Sequence, residues 1–151
     1  MNIINIYVHN IGVPKCIRKI LEDFQNYIDR NTLILGDFNT SLSKMDRSSK
    51  QNINKDIEAL NNALDQMDLN DIYRTFHPKE AKIHILFKCT WNIFKSDHMI
   101  GHKTSLNKFK KIEIISSIFS DHKGLKLETN FKEKISKILK LVEIEYHAIK
   151  Q

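Results

Sequence analysis

A chain of 151 residues, 41% of them hydrophobic, is long enough for one domain with a sizeable core and too short for two. Its net charge of +6 is concentrated in residues 101–140, where ten lysines face four acids; such a flank suits a polyanionic partner, although a solvated lysine surface accounts for the same charge. No apolar run approaches the roughly 20 residues that span a bilayer, and the N-terminus lacks the layout of a secretory signal. Cys16 and Cys89 show neither a disulfide framework nor a zinc-ligand spacing. A soluble, intracellular protein, nuclear or cytoplasmic, with no membrane partner is expected.

In chain order, residues 3–8 are rich in Ile and Val and read as a strand that ends at Asn10-Ile11-Gly12-Val13-Pro14. Pro14 suits the first turn of a helix whose apolar positions Ile17, Ile20, Leu21, Phe24 and Ile28 follow the 3.6-residue period. Thr32 to Leu35 lacks alternation and reads as a strand buried on both faces. It delivers the chain to Gly36-Asp37-Phe38-Asn39-Thr40, the most informative run of the sequence. With a period of two, Asp37 and Asn39 share one side of the backbone and Phe38 takes the other. An acid beside an amide at a strand exit can hold a water or a metal and hydrogen-bond a phosphate oxygen. Gly-Asp and Asn-Thr are also ordinary turn formers.

Beyond it, Ser41 to Gln51 is polar, and Lys44, Arg47 and Lys50 flank its serines, a pattern that fits a nucleic-acid backbone or a plain surface loop. Ile53, Ile57, Leu60, Leu64 and Met67 mark a second helix, capped by Asn52 or Asn54, with its stripe in the core. Ile83 to Phe87 and Ile112 to Ile118 read as strands, and Gly124 to Thr129 alternates as a half-exposed edge strand does. Strands and helices without a strict βαβ rhythm indicate an α+β class. From Lys132 onward, Ile135, Ile138, Leu139, Val142, Tyr146 and Ile149 describe a helix with a lysine-bearing opposite face. Lys95-Ser96-Asp97-His98 and Phe119-Ser120-Asp121-His122 each set an Asp-His pair beside apolar residues.

Tyr7, then Gly36-Asp37-Phe38-Asn39-Thr40, then Ser96-Asp97-His98, then Ser120-Asp121-His122 stand in an order that resembles the endonuclease/exonuclease/phosphatase superfamily. The match is closest to the apurinic-endonuclease-like domain of LINE retrotransposons, which opens the polyprotein that also carries the reverse transcriptase. Flanking text such as Asp68-Leu69-Asn70-Asp71-Ile72-Tyr73-Arg74-Thr75 reads like that family too. The resemblance covers residues 1–131 and leaves 132–151 as a C-terminal amphipathic helix. It implies a partial four-layer α/β/β/α sandwich, deoxyribonuclease I-like, that lacks its N-terminal strands.

The resemblance also implies a chemistry. Asp37 would orient or deprotonate the attacking water, and Asn39 would hold it or a phosphate oxygen. Asp121 would sit in the environment of Mg²⁺ or Mn²⁺. His122 would contact the scissile phosphate, oriented by Asp97, and Tyr7 would donate its phenol to the phosphate or the leaving group. Asn10 and Ser120 would be supporting hydrogen-bonders. Apart from the resemblance, charge alone makes Lys44, Arg47, Lys108, Lys110 and Lys111 candidates for DNA contact, and the resemblance adds the retrotransposon's RNA as a second nucleic-acid partner. Two departures weaken this expectation. The family's N-terminal Asn and Glu, which bind phosphate and metal, precede the strand of Tyr7 and have no counterpart in this sequence. His84 and Ser96 stand where the family has a Thr and an aliphatic residue. The sequence therefore reads as a truncated copy of a Mg²⁺-dependent DNA endonuclease, one that nicks target DNA for retrotransposition, with weak or no activity. A non-catalytic nucleic-acid-binding module and a phosphoesterase acting on soluble substrates are the alternatives.

Overall fold

The structure is a computed structural model and describes residues 1–8, 13–43, 54–79, 97–115, 124–130 and 140–146, the last stretch as backbone. Strand β1 (Asn2–Val8) buries Ile4, Ile6 and Val8 on one face, the alternation that a half-buried strand requires. Helix α1 (Val13–Phe24) lays Val13, Ile17, Ile20 and Leu21 against that face. It ends in a 3-10 turn at Gln25–Tyr27, so Ile28 lies beyond the helix yet still packs against the core. The Asp29 N–H donates to Thr32 Oγ1, which donates to Asp29 Oδ1, and the chain reverses into β2 (Thr32–Asp37).

Strands β1 and β2 pair in parallel with Ile3 opposite Leu33 and Asn5 opposite Leu35. The β1–α1–β2 connection is therefore a βαβ unit, set within a sheet that also holds antiparallel strands. Gly36 permits the closest approach of the two strands. Its φ is +143°, and a Cβ there would lie 1.8 Å from the Ile6 carbonyl oxygen. Only glycine tolerates both conditions.

Asn54 caps α2 (Lys55–Gln66), its side chain accepting the Ile57 N–H at 2.9 Å, and Ile57, Leu60 and Leu64 form the buried stripe. Short elements follow: β3 (Leu69–Asp71) and α3 (Ile72–Phe76), the latter capped by Asp71. Strand β4 (Asp97–His102) runs antiparallel to both β2 and β3. A 3-10 helix at Lys103–Lys108 leads into β5 (Phe109–Ile115), which pairs with β6 (Gly124–Thr129) in a separate two-stranded sheet. The expected strand at Ile112 thus begins three residues earlier, and the expected strand at Ile83–Phe87 lies outside the described residues.

The C-terminal expectation is corrected. Within the helix anticipated over 132–151, residues Lys140–Tyr146 form strand β7, parallel to β1 from Asn2–Lys140 to Val8–Tyr146. Val142 and Tyr146 are points on a helical stripe and also, with Ile144, strand-formers at a spacing of two. The edge of β1 supplies backbone partners that an isolated helix would not have, and that pairing decides between the two readings.

The main sheet has the order β3-β4-β2-β1-β7. One face carries α1 and α2 over Ile4, Ile6, Val8, Ile34, Phe38, Leu69 and Ile100. The other face turns Leu33 and Met99 toward Phe109, Ile112, Ile72 and Tyr73, with Leu125 and Leu127 of β6 packed alongside. The described residues therefore form a helix layer, a five-stranded sheet and a second sheet, in agreement with a partial α/β/β/α sandwich. Among them, no helix is long and apolar enough to cross a membrane.

Candidate active site

Three chemistry-bearing residues fall on one face at one end of the main sheet. Asp37, the last residue of β2, stands in register opposite Asp97, the first residue of β4. By the two-residue period Asp37 shares the face of Leu33 and Leu35, and Asp97 shares the face of Met99, so both carboxylates lie on the side of the β5–β6 sheet. Tyr7 has the parity opposite to the buried Ile4, Ile6 and Val8, which puts it on that same side. It is 41% exposed. The parallel register pairs Asn5 with Leu35, two residues before Tyr7 and Asp37, so both stand at the C-terminal ends of neighbouring strands. Asp97, Asp37 and Tyr7 thus stand on three adjacent strands.

Phe38 takes the other side, as the alternation predicts, and is fully buried among the residues under α1 and α2. The chain then turns. Asn39 adopts φ 44°, its N–H donates to Asp37 Oδ1 at 3.0 Å, and its Nδ2 donates to the Val8 carbonyl at 2.7 Å. Asn is one of the few residues that accept this backbone while hydrogen-bonding locally. The side chain thereby ties the exit of β2 to the exit of β1. An amide has two N–H donors and an acceptor oxygen, so one bond to Val8 leaves capacity for a phosphate oxygen.

The electrostatics of the pair are unfavourable by themselves. Like charges directly opposite on neighbouring strands have Cβ atoms about 4.5–5.5 Å apart and repel. The Asn39 N–H offsets one carboxylate in part. Two carboxylates offer the hard oxygen donors that Mg²⁺ or Mn²⁺ takes, so the donor type fits such an ion. Among the described residues, no group of three or more His, Cys, Asp or Glu side chains is placed to hold a metal.

The sequence reading passed over a second layer behind this end. His98 follows Asp97 and therefore points to the opposite face, where its side chain is fully buried. Its Nδ1 lies 2.9 Å from Asp71 Oδ2, its Nε2 donates to the Thr40 carbonyl at 2.8 Å, and its ring sits 5.3 Å from that of Phe38. Asp71 Oδ1 accepts the Arg74 N–H at 3.2 Å. A signal was available: two polar residues in succession within an apolar strand cannot both face solvent, so one of them must be buried with a partner.

Of the remaining expected residues, Asn10, Lys44, Arg47, Ser120, Asp121 and His122 lie outside the described residues. Lys108, Lys110 and Lys111 are described, and the structure does not bring them to the aspartate pair. Lys108 donates to Asn31 Oδ1 at 2.7 Å, just before β2 begins, which is the opposite end of the sheet from Asp37. Lys111 is ion-paired to Glu113 at 2.6 Å. The hydrogen bond between them raises the ammonium pKa and lowers that of the carboxyl, so much of the Lys111 charge is already answered.

Two solved structures share this architecture. An AP endonuclease from Archaeoglobus fulgidus matches with a TM-score of 0.65 at 16% identity, over 85% of this chain and 62% of its own length. The endonuclease domain of TRAS1, a telomere-specific non-LTR retrotransposon, matches with a TM-score of 0.62 at 11% identity, over 84% of this chain and 56% of its own. The chain shares with both a deoxyribonuclease I-like fold. It spans about three fifths of the length of these two neighbours. No family model matches the sequence. At such identities the fold alone is shared, and the chemistry must be argued from the strand ends of β1, β2 and β4.

Proposed function

We propose that these strand ends form the phosphodiester-hydrolysing site of a metal-dependent DNA endonuclease. The observation that carries the reading is the register pairing of Asp37 with Asp97 on the face that also bears Tyr7. A fold gains nothing from opposing two carboxylates at a strand end, whereas a phosphoryl-transfer site needs acids held at fixed separation. Asp37 orients or deprotonates the attacking water, and Asn39, fixed by its bonds to Asp37 and Val8, holds that water or a phosphate oxygen. Tyr7 donates its phenol to the phosphate or the leaving oxygen. Asp97 orients His122, which contacts the phosphate, and Asp121 supplies a metal oxygen ligand. Mg²⁺ or Mn²⁺, when bound, supplies positive charge against the non-bridging oxygens.

The deciding experiment is nicking of supercoiled plasmid with Mg²⁺ by the chain and by its Asp37→Ala variant. Mg²⁺-dependent nicking that falls by about a hundredfold or more in the variant is expected, since removing a general base typically costs that much. Nicking that is equal in the two proteins overturns the reading. A second reading, nucleic-acid binding without cleavage, is favoured by the lysines at the far end of the sheet. Salt-sensitive DNA binding with no nicking under any divalent ion would select it.

A further inference from the structure

The turn Asp37–Thr40 is pinned at two points by different strands, and the second pin is costly. Asn39 holds it to β1 through Val8. The second hold is the Thr40 carbonyl, which accepts from a His98 ring with no exposed side-chain surface. A carbonyl oxygen only accepts, so Nε2 carries a hydrogen, and the 2.9 Å contact to Asp71 is then bridged by a hydrogen of its own. Behind Asp71 stands the first turn of α3, through the Arg74 N–H. A continuous chain of bonds runs from α3 through Asp71 and His98 to the carbonyl one residue after Asn39.

Burying an imidazole against a carboxylate gives little stability over an apolar pair of the same volume, because desolvation offsets most of the attraction. What it does give is direction: each bond fixes a donor and an acceptor to a few tenths of an ångström, whereas Leu in the same space would fix neither. His98 also stands in register opposite Gly36, the residue whose close approach to Ile6 sets the β1–β2 spacing. Asp97 and His98 are adjacent, so one strand presents an acid to the site and, on its other face, grips the turn that carries the opposing acid.

We propose that His98, oriented by Asp71, is the positioning residue of the Asp37–Thr40 turn, and that it sets where Asp37 and Asn39 stand relative to Asp97. The inference rests on the endonuclease reading for its catalytic consequence and on geometry alone for the turn. Misplacement of a catalytic group by about 1 Å costs on the order of a hundredfold in rate.

The test uses His98→Leu, which keeps an apolar side chain in the space and drops the Thr40 bond, beside Asp71→Asn, whose amide can still bond Nδ1. Amide hydrogen exchange is read at Phe38, Asn39 and Ser41 and compared with Ile4 and Ile34. Expected in His98→Leu is exchange at least tenfold faster in the turn with core strands changed less than threefold, and a kcat for nicking lowered by about a hundredfold at constant KM. Asp71→Asn, with the His98–Thr40 bond intact, keeps most of the wild-type exchange protection and kcat. Uniform acceleration of every amide, or an unchanged turn, overturns the proposal. If the wild-type chain does not nick, the endonuclease reading fails and the exchange pattern alone decides the role of His98. Should His98→Leu fail to fold, the wild-type protein decides: a slowly exchanging His98 Nε2–H, coupled across the hydrogen bond to the Thr40 carbonyl, is required, and its absence overturns the proposal.

Discussion

Asp37 and Asp97 face each other across the β2–β4 ladder, the last residue of one strand against the first of the other. Both side chains lie on the face toward the second sheet, so their charges oppose without an intervening strand. A like-charge cross-strand pair costs up to about 1 kcal/mol relative to a neutral one.

The Asp37→Asn variant should therefore be more stable than the wild type while losing Mg²⁺-dependent nicking. The Asn side-chain oxygen can still accept the Asn39 N–H, so the turn is kept and only the repulsion goes. A rise in Tm of about 2 to 4 °C corresponds to about 1 kcal/mol for a chain of this size. Thermal melts of the two proteins at low salt check it. A variant that melts lower would show that the pair is not repulsive in the folded state.

Gly36→Ala tests the approach of β1 to β2. A methyl at that position would meet the Ile6 carbonyl oxygen at 1.8 Å, and the φ of +143° is closed to L-residues. The strands would have to separate or the backbone rotate, and the loss should exceed about 3 kcal/mol, among the larger single-residue effects. Urea unfolding, or failure to obtain folded protein at all, is the readout.

At Asn39, two roles can be separated. Ala removes both the tolerance of φ 44° and the bond to Val8; Gly removes only the bond. Asn39→Ala should lose about 1 to 2 kcal/mol and Asn39→Gly about half of that, because left-handed backbone strain is absent for glycine. Equal losses would mean that backbone conformation contributes nothing there.

How much of this was legible in the sequence depended on the length of each signal. The stripe Ile17–Ile20–Leu21 and the cap Asn54 lie within long periodic runs, and both helices form there, although α1 ends at Phe24, before Ile28, and α2 at Gln66, before Met67. The Asp37/Phe38 alternation was legible for the same reason, since a strand reverses sides at every residue. Strand β3 has three residues and α3 five, too few for any period to register, and Asp71 lies between them. The partnership of Asp71 with His98 spans 27 residues and has no local trace. Grouping Lys108, Lys110 and Lys111 with the site rested on composition, which records charge but not the end of the sheet it occupies. The C-terminal strand is ambiguous in the sequence because Val142 and Tyr146, four residues apart, satisfy both periods, and the edge of β1 chooses between them.

Salt dependence tests the lysines. If the chain binds duplex DNA, the slope of log affinity against log salt should drop by less than about 0.9 for each lysine neutralised. Lys111→Gln should account for the smallest part, because Lys111 is ion-paired to Glu113, whereas the partner of Lys108 is the uncharged Asn31. The three substitutions together should leave the sequence preference of binding unchanged, as phosphate contacts read no bases. Fluorescence anisotropy over a salt series gives the slope, and a slope identical in the triple variant would remove these residues from the interface.

The final expectation concerns β7. Strand β1 would be an edge without it, and β7 pairs with it over seven residues, from Asn2–Lys140 to Val8–Tyr146. Replacing Val142 and Glu143 together by Pro removes an N–H directed at β1 whichever of the two supplies it, because successive N–H groups of an edge strand point to alternate sides and proline opposes pairing where its N–H is needed. Release of β7 would bare the N–H and C=O row of β1, whose inner residues Ile4, Ile6 and Val8 are nearly fully buried. The variant should remain folded at low concentration, because α1, β2 and β4 still cover the core, but should self-associate as concentration rises. Light scattering across a concentration series, read beside circular dichroism, separates the outcomes. Concentration-dependent growth in mass with retained helix signal is the expected result. A variant that stays monomeric and melts with the wild type would show that residues 140–146 do not cover β1 in solution, and that the helical stripe read from their sequence deserves to be restored.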